Sequence, residues 1–321
     1  MKVAVVYDLP MSEEDKRMVE AVIRALSKKH DSQPLPIDEK FMETVKEYDF
    51  AFNLSTGGGK LSKQVHAPAI LDRLGVPFTG SSAIVHAICI DKSITKLILE
   101  KSGIPTPRFV KIDDPNNIPE IDFYPAFVKP SCEGSALGIS RDSVVKNQKE
   151  LKKQVEMIMN KFNQPAIVEE FIDGREFTVG IIGNGNDLKV LPILEIDFSN
   201  LPEGLEHFYS HRVKHHYGEK TTYICPARLE ESQRKKLENY AKRAFKAIGL
   251  FDFARIDVRM RVNEFYIIEV NSLPLLVPVY SDLTKMLAPI GWKYEDLVNA
   301  ILEAAIARYQ KSSENSKLNL G

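Results

Sequence analysis

Apolar positions in the first ninety residues switch between two periods. Lys2 to Tyr7, KVAVVY, is a continuous β-branched run suited to a buried strand, and Val19, Val22, Ile23 and Leu26 recur at helical spacing within Glu13 to Lys28. Tyr48 to Leu54 predicts a second strand, followed by a glycine-rich loop, a helix around Ala67 to Leu74 and a short strand near Pro77. Alternating strands and helices imply a parallel sheet with helices on its faces, so residues 1–90 are expected to form one α/β unit. A helix from Lys92 to Ser102 follows, ended by Gly103 with Pro105 just beyond.

To about Gly183 the pattern is strand-rich around one long polar helix, Gln148 to Phe162, which suggests a smaller α+β unit over 91–183. A third unit, 184–310, holds strands, a charged helix from Glu230 to Ile248 and a last helix from Tyr294 to Tyr309. The remaining 311–321, KSSENSKLNLG, is polar and expected to be a disordered tail.

One stretch breaks its own pattern. Residues 254–272, ARIDVRMRVNEFYIIEVNS, read as two strands joined by a tight turn at Arg261 to Asn263, yet Arg255, Asp257, Glu269 and Asn271 interrupt the apolar run. Side chains alternate faces along a strand, so Arg255 and Asp257 share a face, as do Glu269 and Asn271. If the two faces coincide, three oxygen donors converge. Such donors suit Mg²⁺, whose charge compensates carboxylates that are costly to bury alone. Arg259, Arg261 and Glu264, nearer the turn, read instead as charges facing water.

Composition narrows the partners. The 321 residues carry 43 basic and 44 acidic side chains, a formal net charge of −1, which argues against nucleic acid. Cys89, Cys132 and Cys225 are too scattered for a disulfide framework or a paired metal motif. No segment has the length of a membrane span or a secretory leader, and the expected compartment is the cytoplasm.

Two further stretches carry chemistry. In VKPSCEGSALGIS, 128–140, a strand delivers Lys129 to a loop of small residues containing Gly134, Ser135 and Gly138, whose backbone can approach a phosphate. In IVEEFIDGREFTV, 167–179, acidic residues border a short apolar wall, as an adenine and its ribose require, although Asp173 reads as an ordinary turn residue. STGGGK at 55–60 lacks the hydroxyl residue that a Walker loop needs after its lysine, because Leu61 follows. His207, His211, His215 and His216 offer a zinc reading, but Tyr209, Ser210, Tyr217 and Gly218 suit a loop better than a ligand-bearing helix.

Taken in order, DKSITK at 91–96, VKP and EGS with Gly138, VEEF with GRE, TYICPA, RID and EVN resemble the ATP-grasp superfamily, and within it the D-alanine–D-alanine ligase type. The resemblance runs from about residue 75 to 274. It implies an ATP-grasp fold of α/β and α+β parts with an N-terminal Rossmann-like (preATP-grasp) parallel-sheet domain. It implies a carboxylate–amine ligase using ATP and two Mg²⁺ ions, for which Mn²⁺ substitutes, on small amino-acid or carboxylate substrates, and a homodimer. Lys92 and Lys129 would bind ATP phosphates; Glu169, Glu170, Phe171 and Ile172 would line the adenine, with Glu176 on the ribose. Asp257, Glu269 and Asn271 would hold the metal, and Arg255 would stabilise the reacting carboxylate. Within a lid, 208–220, Lys214 would meet the transferred phosphate, and Ser135 and His215 would stand near the first substrate.

The same resemblance breaks at the amino-acid pocket. The family's GG-x-S-x-E and HG-x-x-GEDG segments are replaced by YDLPMSEEDK and NLSTGGGKLSKQ. Glu13 stands nearest the family's ammonium-binding glutamate, Leu275 replaces a glycine after EVNSLP, Tyr280 or Ser281 replaces a serine, and His215 replaces a lid tyrosine. A ligase for another amino-acid or carboxylate pair, or an ATP-binding regulator without catalysis, therefore stands beside D-alanine ligation as an alternative.

Overall fold

The apolar run Lys2–Tyr7 (β1) lies at the centre of a parallel three-stranded sheet, between Asp31–Pro36 (β2) and Phe50–Asn53 (β3). The computed structural model describes residues 1–57, 63–210, 212–213, 217 and 220–318, with 313–318 as helix backbone only. Flanked on both sides, β1 buries Val3 to Val6 completely. The Glu13–Leu26 helix starts on a capping box, in which the Ser12 hydroxyl accepts from the Asp15 N–H and the Asp15 carboxylate accepts from the Ser12 N–H. Its apolar stripe, Met18, Val19, Val22 and Leu26, joins the core.

β2 was not expected, because DSQPLP carries two prolines; as an edge strand it bonds on one side only and tolerates the missing N–H groups. The helix Ala83–Ile90 was also unexpected. AIVHAICI has no polar face to mark a helical period, and Ser82 caps its start.

The helix Lys92–Lys101 begins where the Asp91 carboxylate accepts from the Ser93 and Ile94 N–H groups. It leads into an antiparallel sheet ordered Phe109–Ile112 (β4), Ala166–Glu170 (β7), Ala126–Pro130 (β5) and Val144–Val145 (β6). The helix Gln148–Phe162, found with the bounds read from the sequence, buries Leu151, Val155 and Ile158 beside Val128 and Val168.

The third sheet is ordered Thr222–Ile224 (β11), Leu194–Asp197 (β10), Arg175–Ile182 (β8), Phe253–Arg261 (β12) and Glu264–Asn271 (β13), with Lys189–Val190 (β9) also on β8. The chain therefore changes sheets at Gly174 rather than near Gly183, where the sequence reading divided the units. There a Cβ would fall 2.1 Å from the Met260 carbonyl oxygen, so only glycine allows this approach. The hairpin turns where expected, at Val262 and Asn263, both at positive φ, 48° and 66°.

The last helix, Tyr294–Leu318, runs well past Tyr309. Most of the segment expected as a disordered tail is helical, consistent with the absence of glycine and proline before Leu318. Arg308 on this helix donates from Nε to the fully buried Asp252 at 3.0 Å, and Asp252 also accepts from the Gly80 N–H at 2.8 Å and Asn184 Nδ2 at 2.9 Å. One carboxylate thus ties the N-terminal unit, the third sheet and the C-terminal helix together. No described helix is long and apolar enough to cross a membrane.

Candidate active site

Strand pairing decides the question raised by the polar hairpin. Arg255 lies opposite Asn271 and Asp257 opposite Glu269, so the two faces do coincide. A register shift between Asp257 and Val258 separates this polar end from the rest of the ladder. Asp257 accepts from Arg255 Nε at 3.0 Å and Nη2 at 2.8 Å, from Asn271 Nδ2 at 2.9 Å, and from the Thr178 hydroxyl of β8 at 2.9 Å. Burial alone would lower the Arg255 pKa, but Asp257 and Asp282 raise it above the usual guanidinium value.

Glu269 faces the other cations. Its Oε1 is 3.1 Å from Lys92 Nζ, and Lys92 also donates to the Glu133 carbonyl of the glycine loop. Burial pushes the Glu269 carboxyl up, yet Lys92, Lys129 and Arg255 together hold it down at about 2. Lys129, delivered by β5, pairs with Glu169 at 2.9 Å, and the other Glu169 oxygen is 3.2 Å from Lys96. Burial acts against the Glu169 charge, but the two lysines keep its pKa below the usual range. For Lys96, burial outweighs Glu169 and lowers the pKa to about 8.

All these groups but Lys96, Thr178 and Asp282 wall one cleft, whose empty space is about 1010 Å³ with its open mouth included. The loop of 134–139 forms one side, with Ser135 and Ala136 at φ 53° and 59°. At the far end Phe171 stacks on Phe127 with ring centroids 6.0 Å apart, and Phe208 meets Phe127 edge-on at 5.2 Å. Ile172, Glu170 and Glu176 complete that end. Burial pushes the Glu176 carboxyl up to about 7 against the opposing Arg259, with Asp257 and Asp282 adding to the rise.

The structure thus brings together Lys92, Lys129, Ser135, Glu169, Glu170, Phe171, Ile172, Glu176, Arg255, Asp257, Glu269 and Asn271. It does not bring the other expected substrate residues to this cleft. The Glu13 carboxylate is exposed and paired with Lys16 at 2.6 Å, and Leu275 packs against the core. Tyr280 is half exposed, and the Ser281 hydroxyl accepts from the Val277 N–H at 2.9 Å. Lys214, His215, His211, His216 and residues 58–62 of the first glycine-rich loop lie outside the described residues. Among the described residues no group of three or more His, Cys, Asp or Glu is arranged to hold a metal; three of the four histidines of the zinc reading lie outside them.

Two expectations near the turn are corrected. Arg259 is buried and lines the cleft, donating to the Gly174 and His207 carbonyls at 2.8 and 3.1 Å, and its guanidinium lies 5.4 Å from the Phe171 ring centroid. Arg261 donates to Glu170 at 2.8 Å. Neither is simply a charge facing water, because Arg259 reaches the Gly174 and His207 carbonyls and Arg261 pairs with Glu170 of β7. Sequence reading also gave no role to Lys96, Phe127 or Phe208. The i, i+4 spacing of Lys92 and Lys96 on one helix was the available signal for the first.

Comparison with known proteins bears on the whole chain. A family model described as "D-ala D-ala ligase C-terminus" matches residues 98–303. The D-alanine–D-alanine ligase of Pseudothermotoga lettingae is 32% identical over 292 residues, 89% of this chain and 93% of that protein. That of Carboxydothermus hydrogenoformans is 31% identical over 327 residues, 97% of this chain and 100% of that protein. In fold, the chain resembles the crystal structure of the D-alanine–D-alanine ligase from Bacillus anthracis complexed with ATP, at a TM-score of 0.76 and 23% identity, covering 97% of this chain and 99% of that one.

Proposed function

This chain belongs to the D-alanine–D-alanine ligase family, and it is therefore an ATP-dependent carboxylate–amine ligase; from that premise we propose how its own residues carry the reaction. A carboxylate is a poor electrophile. In the proposed first step a carboxylate oxygen of one substrate attacks the γ-phosphorus of ATP, the bond to ADP breaks and an acyl phosphate forms. In the second, the amine of the other substrate attacks the acyl carbon, phosphate leaves with that oxygen, and the nitrogen loses a proton.

Phe127, Phe171, Ile172 and Phe208 supply an apolar slot for the adenine, and Glu176 stands where a ribose hydroxyl would donate to it. Lys92, Lys129 and the Ser135 loop line the side of the cleft that fits the phosphates. The donor set of Asp257, Glu269 and Asn271 fits Mg²⁺, since two carboxylates and an amide are paired across one end of the hairpin, with Arg255, Lys92 and the Thr178 hydroxyl against the carboxylates. Bound there, two such ions would offset the charge of the transferring phosphoryl group. With Asp257 and Glu269 holding metal, Lys92 would be freed from Glu269 to face phosphate, and Arg255, still beside Asp282, would be free of Asp257 to face the developing oxyanion. Lys214 and His215, by resemblance, act from the lid, whose closure excludes water from the acyl phosphate.

The observation that carries this reading is the single cleft: the three oxygen donors, the cations Lys92, Lys129, Arg255 and Arg259, and an aromatic slot wall the same space. Phosphate release from ATP, measured against a panel of D- and L-amino acids, tests it. We expect D-alanine to accelerate release. Acceleration by a different amino acid would assign another substrate pair, a reading favoured by the position of Glu13, Leu275, Tyr280 and Ser281 off the cleft. No acceleration by any would replace catalysis with nucleotide-dependent regulation. A cytoplasmic homodimer completes the proposal, and sedimentation velocity tests the dimer.

A further inference from the structure

Part of the cleft wall belongs to a buried triad of charges. Lys129 Nζ stands 2.9 Å from one oxygen of Glu169, and Lys96 Nζ stands 3.2 Å from the other. The Lys129, Glu169 and Lys96 side chains are only 4%, 3% and 1% exposed. Lys129 and Glu169 wall the cleft, whereas Lys96 does not. It reaches Glu169 from the Lys92–Lys101 helix and donates to the Thr106 hydroxyl at 2.8 Å, which donates in turn to the Ile267 carbonyl at 2.8 Å.

Neutralising Glu169 does not require two lysines. Lys129 alone balances its charge, and a second cation buried beside them adds a desolvation cost that an apolar side chain would avoid. That cost shows at Lys96, whose pKa burial lowers to about 8 even against the attraction of Glu169. Near neutral pH the triad therefore holds one positive charge in excess. Only Lys129 can present that excess to a ligand, because Lys96 is shut away from the cleft. Without the Lys96 charge, Lys129 and Glu169 would form a closed pair with little field left for an incoming anion. With it, Glu169 divides its attraction between two ammonium groups, and Lys129 is less fully compensated.

We propose that Lys96 is a positioning residue for nucleotide binding: by sharing Glu169, it leaves Lys129 a positive charge with which to draw the phosphates of ATP. This inference rests on the reading above that those phosphates meet Lys129, and it adds a residue that never touches them. The consequence is selective for phosphate. A nucleoside triphosphate feels the charge that Lys96 releases on Lys129, and adenosine does not.

Calorimetric titration with a non-hydrolysable ATP analogue and Mg²⁺, and separately with adenosine, gives the phosphate-dependent gain as the ratio of the two affinities. That ratio does not depend on how much protein is folded, so a destabilised variant still reports. Lys96→Met should lower the gain about tenfold, the scale of one charged contact, with adenosine affinity within about threefold of wild type. Lys96→Gln, which keeps a donor for Thr106, should lower it equally. In a Glu169→Gln background no carboxylate charge remains to be shared, and adding Lys96→Met should change the gain by less than about twofold. A gain unchanged in both single variants, whether both affinities fall together or neither moves, overturns the role of Lys96 alone. A loss in Lys96→Met but not in Lys96→Gln also overturns it, because the bond to Thr106 and not the charge would be responsible. So does a tenfold loss that persists in the Glu169→Gln background, since Lys96 would then act without Glu169. Wild type binding the analogue no more tightly than adenosine overturns the phosphate assignment, and this inference with it.

Discussion

Replacing Lys92 by methionine should move two affinities in opposite directions. Lys92 Nζ and Glu269 Oε1 are 3.1 Å apart, with side chains 7% and 27% exposed. At an effective dielectric constant of about 20 their attraction is about 5 kcal/mol, and desolvation leaves a net value of about 2 kcal/mol. A metal ion arriving without nucleotide must displace this lysine, so the pair opposes metal binding by that amount. Lys92→Met removes the competitor, and Mg²⁺ alone should bind about 30-fold tighter. The same change removes a cation from the phosphates, worth about 1.5–3 kcal/mol, so a non-hydrolysable ATP analogue with Mg²⁺ should bind at least tenfold more weakly. Calorimetric titration of both ligands against wild type and variant reads the two changes. If both affinities fall, or Mg²⁺ alone binds no better, Lys92 does not guard the metal carboxylate and the exchange of partners is wrong.

Three other outcomes follow from the same geometry. Glu176 has a folded-state pKa raised to about 7, so its stabilising protonated form is fully present below about pH 4.5 and is lost as pH rises through 7; Glu176→Gln should match wild type at about pH 4 and be up to about 3 kcal/mol more stable at about pH 8 in urea unfolding. An equal difference at both pH values would show that the carboxyl keeps its ordinary pKa. Glu269→Gln should cut Mg²⁺-dependent turnover at least about 100-fold while retaining a cooperative melt, and near-normal turnover would remove Glu269 from the metal site. Lys214→Ala should slow turnover by about 100-fold with a thermal midpoint within about 2 °C of wild type, because a lid lysine acts only on bound phosphate; a matching loss of stability would make the loop structural.

How far sequence alone reached depended on whether the signal was local. The hairpin was legible because four polar side chains interrupt an otherwise apolar run, and strand alternation fixes their faces without knowledge of the rest. The helix end marked by Gly103 was legible for the same reason. β2 was hidden by Pro34 and Pro36, whose acceptability depends on an edge position that only the assembled sheet reveals. Ala83–Ile90 was hidden because a helix buried on several sides has no polar stripe. Arg259 looked like a surface charge until β8 was placed beside it. Lys96 and Glu169 are 73 positions apart, and no periodicity announces a pair that forms only when the Lys92–Lys101 helix meets β7. Asp282 was equally hidden, since only the assembled structure places it 3.6 Å from Arg255.

Oxygen transfer from substrate to phosphate tests the ligase chemistry most directly. With the stimulating amino acid labelled by ¹⁸O in its carboxylate, the inorganic phosphate released in single-turnover conditions should carry one labelled oxygen, because the acyl–oxygen bond breaks as the amine attacks. Phosphate without label, released alongside a condensed product, would contradict activation through an acyl phosphate in this cleft.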